Sequence, residues 1–162
     1  MKKSLIAIAI STMLMLTGCS GGEEAVEANA TVKAADASAA DITNAVMAEI
    51  EIPSAMEKTA DKLDGYYDID VTTIAEMSMF VCGSGAYPDE LAVFRFNDEA
   101  GAKAGAEAVQ SRLDGQIAVY KDYTPDEMYK LDEAVIITEG NWVVFAACAD
   151  NARAKEIIES LI

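Results

Sequence analysis

The sequence predicts an α+β domain: a four-stranded, mainly antiparallel sheet with helices on one face, preceded by N-terminal helices. Three observations carry that expectation. Ile42, Val46 and Ile50 recur at helical spacing behind Asp41. Four runs rich in β-branched and aromatic residues follow, at 77–82, 90–96, 134–138 and 142–148. A helical stripe follows each pair of runs, so the order reads strand-strand-helix twice.

Along the chain, Asp41 is the expected cap of the first helix and Pro53 its end. Met56, Ala60 and Leu63 mark a second helix stopped at Gly65, and residues 68–71 look extended. The first strand pair is joined through Gly83-Ser84-Gly85-Ala86-Tyr87-Pro88, a turn-forming stretch. Asn97 or Asp98 then caps a long helix with the inner stripe Ala102, Ala106, Val109, Leu113, Ile117 and Tyr120. Gly101, Gly105 and Gly115 interrupt it, each at a cost of about 1 kcal/mol relative to alanine. Pro125 opens a short helical turn, and Glu139-Gly140-Asn141 joins the second strand pair. A closing helix begins near Asn151, with Ala154, Ile157, Ile158 and Leu161 facing inward.

The N-terminus reads as an export signal. Lys2 and Lys3 precede an apolar run over 5–16, shorter than the roughly 20 residues that span a bilayer. Leu16-Thr17-Gly18-Cys19 ends the run and matches the bacterial lipobox, in which the cysteine thiol receives diacylglycerol and a peptidase cuts just before it. The alternative is an ordinary secretory signal containing a cysteine. The expected organisation is a signal peptide over 1–18, a lipidated flexible tether over 19–40 and a single α+β domain over 41–162. Two acyl chains on Cys19 would anchor the chain to the extracytoplasmic face of the cell membrane without crossing it.

Charge narrows the partners. The chain has 12 basic and 28 acidic residues, and loss of Lys2 and Lys3 with the leader takes its net charge from −16 to −18. Nucleic acid is excluded as a partner, since phosphate binding needs clustered Lys and Arg. An anionic membrane surface would also repel the body of the protein.

The chain contains no histidine. That excludes Ser-His-Asp and Cys-His catalysis and histidine-ligated zinc. Ser84, between Gly83 and Gly85, lacks nucleophile-elbow spacing and reads as a turn residue. Asp61, Asp64, Asp68 and Asp70 form the densest acidic cluster, but their spacing departs from a calcium loop, so no metal is assigned. Neither a phosphate-cradling loop nor a dinucleotide fingerprint is present, and no catalytic residue or cofactor is assigned. Seven aromatic residues, Tyr66, Tyr67, Tyr87, Tyr120, Tyr123, Tyr129 and Trp142, offer binding area or core packing; Tyr87 and Trp142 are the candidates for an exposed binding surface. Cys82 and Cys148 each end a strand. With a strand order of 2-1-4-3 they would be neighbours within reach of a disulfide; two buried free thiols are the alternative.

Several short motifs carry a resemblance: Gly85-Ala86, then Asp89-Glu90-Leu91-Ala92-Val93-Phe94-Arg95, Tyr123-Thr124-Pro125-Asp126-Glu127, Leu131 through Ala134-Val135-Ile136, and Gly140-Asn141-Trp142-Val143. Together with the lipobox they resemble the bacterial lipoprotein family called domain of unknown function 4358, over roughly residues 61–162. The resemblance implies a lipid-anchored extracytoplasmic protein and supplies no catalytic residues. The expectation is a non-enzymatic binding or interaction domain whose bare sheet face holds a peptide, a cell-wall component or a protein partner. The alternatives are a structural accessory subunit of an envelope complex and a small hydrolase lacking histidine.

Overall fold

A computed structural model describes residues 37–162. Leu16, Thr17, Gly18 and Cys19, the signal peptide and most of the expected tether lie outside the described residues. No helix among the described residues is long and apolar enough to cross a membrane.

Helix α1 (Ala39–Glu49) starts earlier than Asp41 suggests, because Ser38 is its cap. The Ser38 hydroxyl accepts from the Asp41 amide while Asp41 accepts from the Ser38 amide, a reciprocal capping box. Ala37 and Ala39 are buried, so the ordered fold takes in residues assigned to the tether. Strand β1 (Ala55–Glu57) replaces the first turn of the expected second helix; only Ala60–Gly65 is helical, as a 3-10 segment. The stretch expected to be extended leads instead into a 3-10 turn at Val71–Thr73.

Strands β2 (Ile74–Cys82) and β3 (Glu90–Phe96) form a hairpin, and so do β4 (Val135–Glu139) and β5 (Trp142–Ala147). Between the hairpins run α2 (Glu99–Tyr123), capped by Asp98, and the short α3 (Met128–Asp132); α4 (Asn151–Glu159) closes the chain. The sheet has five strands, not four, in the order β1-β2-β3-β5-β4, and every pairing is antiparallel.

The helices lie on both faces of the sheet rather than on one. On one side Leu91, Val93, Val144 and Ala146 pack with Ile42 and Val46 of α1 and Ile157 and Ile158 of α4. On the other side Ala92, Phe94, Phe96, Val143 and Phe145 pack with Val109 and Leu113 of α2 and with Leu63 and Tyr67. Apolar residues at both parities of β3 and β5 demand this, since a strand apolar on both sides must be covered twice. Among the described residues, both faces of the central strands β3 and β5 are therefore covered, so the bare sheet face expected for a partner is absent there.

β2 and β5 run in the same direction, so Cys82 and Cys148 do end at one end of the sheet. β3 lies between them, which corrects the 2-1-4-3 order. Two strand spacings amount to about 9.6 Å, beyond the roughly 7 Å reach of a disulfide. Both cysteines are buried and free. The Cys148 thiol donates to Asn151 Oδ1 at 3.4 Å, and burial pushes its pKa up.

Helix α2 lies back along β3, and one of its glycines is there for space. A Cβ on Gly105 would stand 2.1 Å from Phe96 Cζ, inside a ring that is itself fully packed. A Cβ on Gly115 would meet nothing within 4 Å. Gly105→Ala is therefore expected to destabilise by about 1–3 kcal/mol through overpacking. Gly115→Ala should stabilise by up to about 1 kcal/mol through helix propensity. Urea denaturation checks both, and equal shifts in the same direction would contradict this packing.

Candidate functional site

The strand ends that meet where β2 turns into β3 carry an unusual concentration of buried charge. Asp89, just before β3, and Glu90, the first residue of that central strand, are 2% and 0% exposed. Burying carboxylates costs several kcal/mol each unless cations and donors compensate. Glu90, on the α2 side, receives four donors. Tyr67 Oη donates to its Oε1 at 2.5 Å, while Arg112 Nη2, Arg112 Nε and Gln116 Nε2 donate to its Oε2 at 2.7, 3.1 and 3.0 Å. Arg112 and Gln116 sit one helical turn apart on α2, so the same spacing that continues the apolar stripe delivers both to one carboxylate.

Asp89 takes a different cation. Lys130 Nζ of α3 donates to Asp89 Oδ2 at 2.7 Å and lies 2.8 Å from Glu127 Oε2. Burial pushes the Asp89 carboxyl up; Lys130 pulls it down without cancelling that effect, and the Glu127 charge adds to the rise. Burial alone would lower Lys130, but its hydrogen bonds to Asp89 and Glu127 outweigh this and raise its pKa. Asn151 ties α4 into the same corner. Its amide donates to the Lys130 carbonyl at 2.8 Å and its oxygen accepts from the Cys148 amide at 3.0 Å.

Tyrosines rim this corner. Tyr120 Oη donates to the carbonyls of Gly85 and Tyr87 at 3.1 and 3.0 Å, which holds the β2–β3 loop against α2. Gly85 takes a positive φ of 65° in that loop, a conformation that favours glycine. The Ser84 hydroxyl accepts from the Ala86 amide at 3.2 Å, in keeping with a turn role. Tyr87, Tyr123 and Tyr129 are 41%, 64% and 46% exposed. Cations cover three of the rings: Arg112 and Lys58 stand 5.2 and 5.5 Å from the Tyr66 ring centre, and Lys130 stands 5.2 Å from that of Tyr87 and 5.8 Å from that of Tyr129.

Within the rim lies a cavity of about 140 Å³, lined by Tyr66, Tyr87, Asp89, Glu90, Gln116 and Tyr120 among others. Arg112 separates it from a shallower cleft of about 230 Å³ lined by Tyr66, Asp68, Ser111 and Gly115. Chemically this corner is suited to recognition. Every carboxylate in it is held by a cation or by several donors, and its open surface is aromatic.

Of the sequence candidates, Tyr87 belongs to this corner and Trp142 does not. Trp142 pairs with Arg95 at the opposite end of the sheet, half-buried under the Arg95 guanidinium at 5.5 Å. Arg95 is ion-paired to Glu76, which also accepts from the Ala39 amide at 3.1 Å and so ties that end of the sheet to α1. In the acidic cluster Asp61 accepts from Thr59 and pairs with Lys62, while Asp70 accepts from the Thr72 amide. Among the described residues no group of three or more acidic or thiol side chains is arranged to hold a metal ion. Glu90, Arg112, Gln116 and Lys130 were not singled out by sequence. The available signal was a charged pair, Asp89-Glu90, at the mouth of an otherwise apolar strand.

A family model described as Domain of unknown function (DUF4358) matches residues 48–148, which takes in every residue of the corner except Asn151. No curated protein and no solved structure matches the chain.

The Tyr67 phenol, fully buried, is held well above its ordinary value of 10.0, first by burial and then by the Glu90 charge. The folded state keeps this proton while the unfolded chain releases it near 10, so the contribution is complete below about pH 10 and declines as pH rises further. Above pH 10, wild-type stability should fall by about 1.4 kcal/mol per pH unit more steeply than that of Tyr67→Phe. Urea denaturation across this range checks it, and parallel curves would contradict the assignment.

Proposed function

The chain belongs to the family described as Domain of unknown function (DUF4358), and from that premise we propose that it is a lipid-anchored, extracytoplasmic, non-enzymatic binding module whose recognition site is the tyrosine-rimmed corner at the head of β3. The observation that carries this reading is a polar cavity lined by Tyr66, Tyr87 and Tyr120 together with Asp89, Glu90 and Gln116, with Tyr87 itself 41% exposed. Tyrosine offers large contact area at low entropic cost, and a polar floor supplies orientation. Against catalysis stands the engagement of both floor carboxylates: Glu90 holds four donors and Asp89 holds Lys130, so neither is a free base.

Anchoring through Cys19 rests on the lipobox. The anchor would hold the domain at the outer face of the cell membrane, with a ligand or partner reaching it from the envelope. One observation favours the accessory-subunit alternative. β4 is an edge strand with half-buried Val135, Ile136 and Ile137 and no proline or lysine to block pairing.

Two measurements test the reading in cells. Alkyne fatty acid should label the wild type and leave Cys19→Ser unlabelled; equal labelling would end the lipoprotein reading. Benzoylphenylalanine in place of Tyr87 or Tyr123 should give photo-adducts that the same group in place of exposed Lys103 does not. Adducts from all three positions alike, or from none, would overturn the assignment of the site. Adducts dominated by one protein of fixed mass would move the reading to the accessory subunit.

A further inference from the structure

The two edges of the sheet are built differently. β1, at one edge, is three residues long and is flanked by Pro53 and Lys58, a length and residue types that discourage a further strand. β4, at the other, is five residues long and contains neither proline nor lysine. The ladder shows which of its backbone groups are free. The Phe96 amide donates to the Asn141 carbonyl at 2.8 Å, so Asn141, Val143 and Phe145 turn their backbone groups to β3, while Trp142, Val144 and Ala146 turn theirs to β4. Their partners Glu139, Ile137 and Val135 are thereby engaged. Ile136 and Thr138 direct N–H and C=O away from the sheet, and no strand among the described residues pairs with them.

A second copy of β4 fits this edge in one register. Antiparallel pairing centred on Ile137 sets Ile136 opposite Thr138 of the second copy, so the outward N–H and C=O groups of both residues find partners. Ile137 then faces Ile137 and Val135 faces Glu139, which opposes β-branched side chains at the centre of the joint. Charge agrees with this register. Val135, Ile137 and Glu139 alternate onto the sheet side where Val135 and Ile137 pack with the core under α1 and α4. A cleft of about 380 Å³ along that side of the edge is lined by Val135, Ile137, Lys155 and Glu159 among others. Glu139 of the second copy, opposite Val135, arrives beside Lys155, whose pairing with Glu159 at 3.6 Å is solvent-exposed and weak. A two-fold axis makes the contact twice. Copies of a chain with net charge −16 repel one another, so a joint between them has to supply a cation to each incoming carboxylate, as this register does.

We propose that β4 is a self-association edge: two copies of the chain pair antiparallel through β4 about a two-fold axis at Ile137, and their sheets join into one. This inference is independent of the corner at the head of β3. The axis stands normal to the sheet, so α1 and α4 of both copies lie on one face, and both chains lead into the fold at Ala37 on that side. Two chains tethered to one membrane can therefore form the pair. The outer edges of the joined sheet are the two guarded β1 strands, so growth ends at two copies.

The test is disulfide trapping of the processed full chain in detergent micelles, oxidised with copper phenanthroline. The wild type, whose Cys82 and Cys148 are buried, supplies the background. Ile137→Cys faces its own counterpart at about 4.5 Å between Cα atoms, within disulfide reach, and should convert largely to a covalent dimer. Glu139→Cys lies about 14 Å from its counterpart along the strands and should stay at background. Mixed Val135→Cys and Glu139→Cys chains should give a heterodimer that neither gives alone, which tests the same register without altering Ile137. Lys155→Glu should slow the trapping of Ile137→Cys several-fold, and adding Glu139→Lys to it should restore the rate. Thr138→Pro removes an outward N–H and none of the β4–β5 ladder, so it should abolish trapping at an unchanged urea midpoint. Equal trapping at Ile137→Cys and Glu139→Cys would mean collision without register and would overturn the proposal. So would a folded Ile137→Cys chain that keeps its thiol free, together with no heterodimer from the mixed chains. In cells, an adduct of Ile137→Cys with a different protein in place of the self-dimer would give the edge to that protein and overturn the second copy as its occupant.

Discussion

The buried carboxylate of Glu90 is the constraint on which the rest of the molecule depends. It sits at the first residue of the central strand, beneath α2 and beside Asp89. Its four donors come from three places along the chain: the loop before β2, and two positions on α2. Such a group permits one seating of α2. Sliding the helix by a turn would strand the charge, at a cost of several kcal/mol. Apolar packing alone tolerates more variation. Phe96 under Gly105 fixes the other end of the same helix, so one contact of shape and one of charge together set its register. Lys130 and Asn151 extend the constraint to α3 and α4.

This arrangement limits which parts of the sheet a ligand could reach. Helices cover both faces of the sheet, leaving only its ends and edges accessible. At the Trp142 end the loops are closed by Asn141, whose amide donates to the Phe96 carbonyl at 2.7 Å, and by the Glu76–Arg95 pair. At the Glu90 end Tyr120 holds the loop against α2, with tyrosines around it. Most of the short motifs that carry the family resemblance, from Gly85 through Asp89 and Glu90 to Tyr123 and Glu127, converge on this second end.

Much of this was legible in the sequence. The four long strands, the caps near Asp98 and Asn151 and the two hairpin loops follow from periodicity and turn residues. The two-sided sheet was also written there, in the unbroken apolar runs Leu91-Ala92-Val93-Phe94 and Val143-Val144-Phe145-Ala146-Ala147, which alternation would have interrupted with polar residues. β1 was not legible. Three exposed residues, Ala55, Met56 and Glu57, carry no strand pattern and pair only because β2 offers an edge. The cysteine geometry failed for a related reason. Strand direction follows from the crossover, but which strand lies between two others is set by packing over distances that local patterns do not encode. Tyr87 stood out as an aromatic in a loop, whereas Gln116 and Arg112 looked like any polar residues of a long helix until Glu90 was seen beneath them.

The central claim is that Glu90 and the donors of α2 act as one unit in seating that helix. A double-mutant cycle with Glu90→Gln and Arg112→Met, read by urea denaturation of the two single variants and the double variant, measures it most directly. The expected result is a coupling of about 1–3 kcal/mol, with the double variant less destabilised than the sum of the single ones. Additivity within about 0.5 kcal/mol would contradict it, and would mean that α2 is held by its apolar stripe alone.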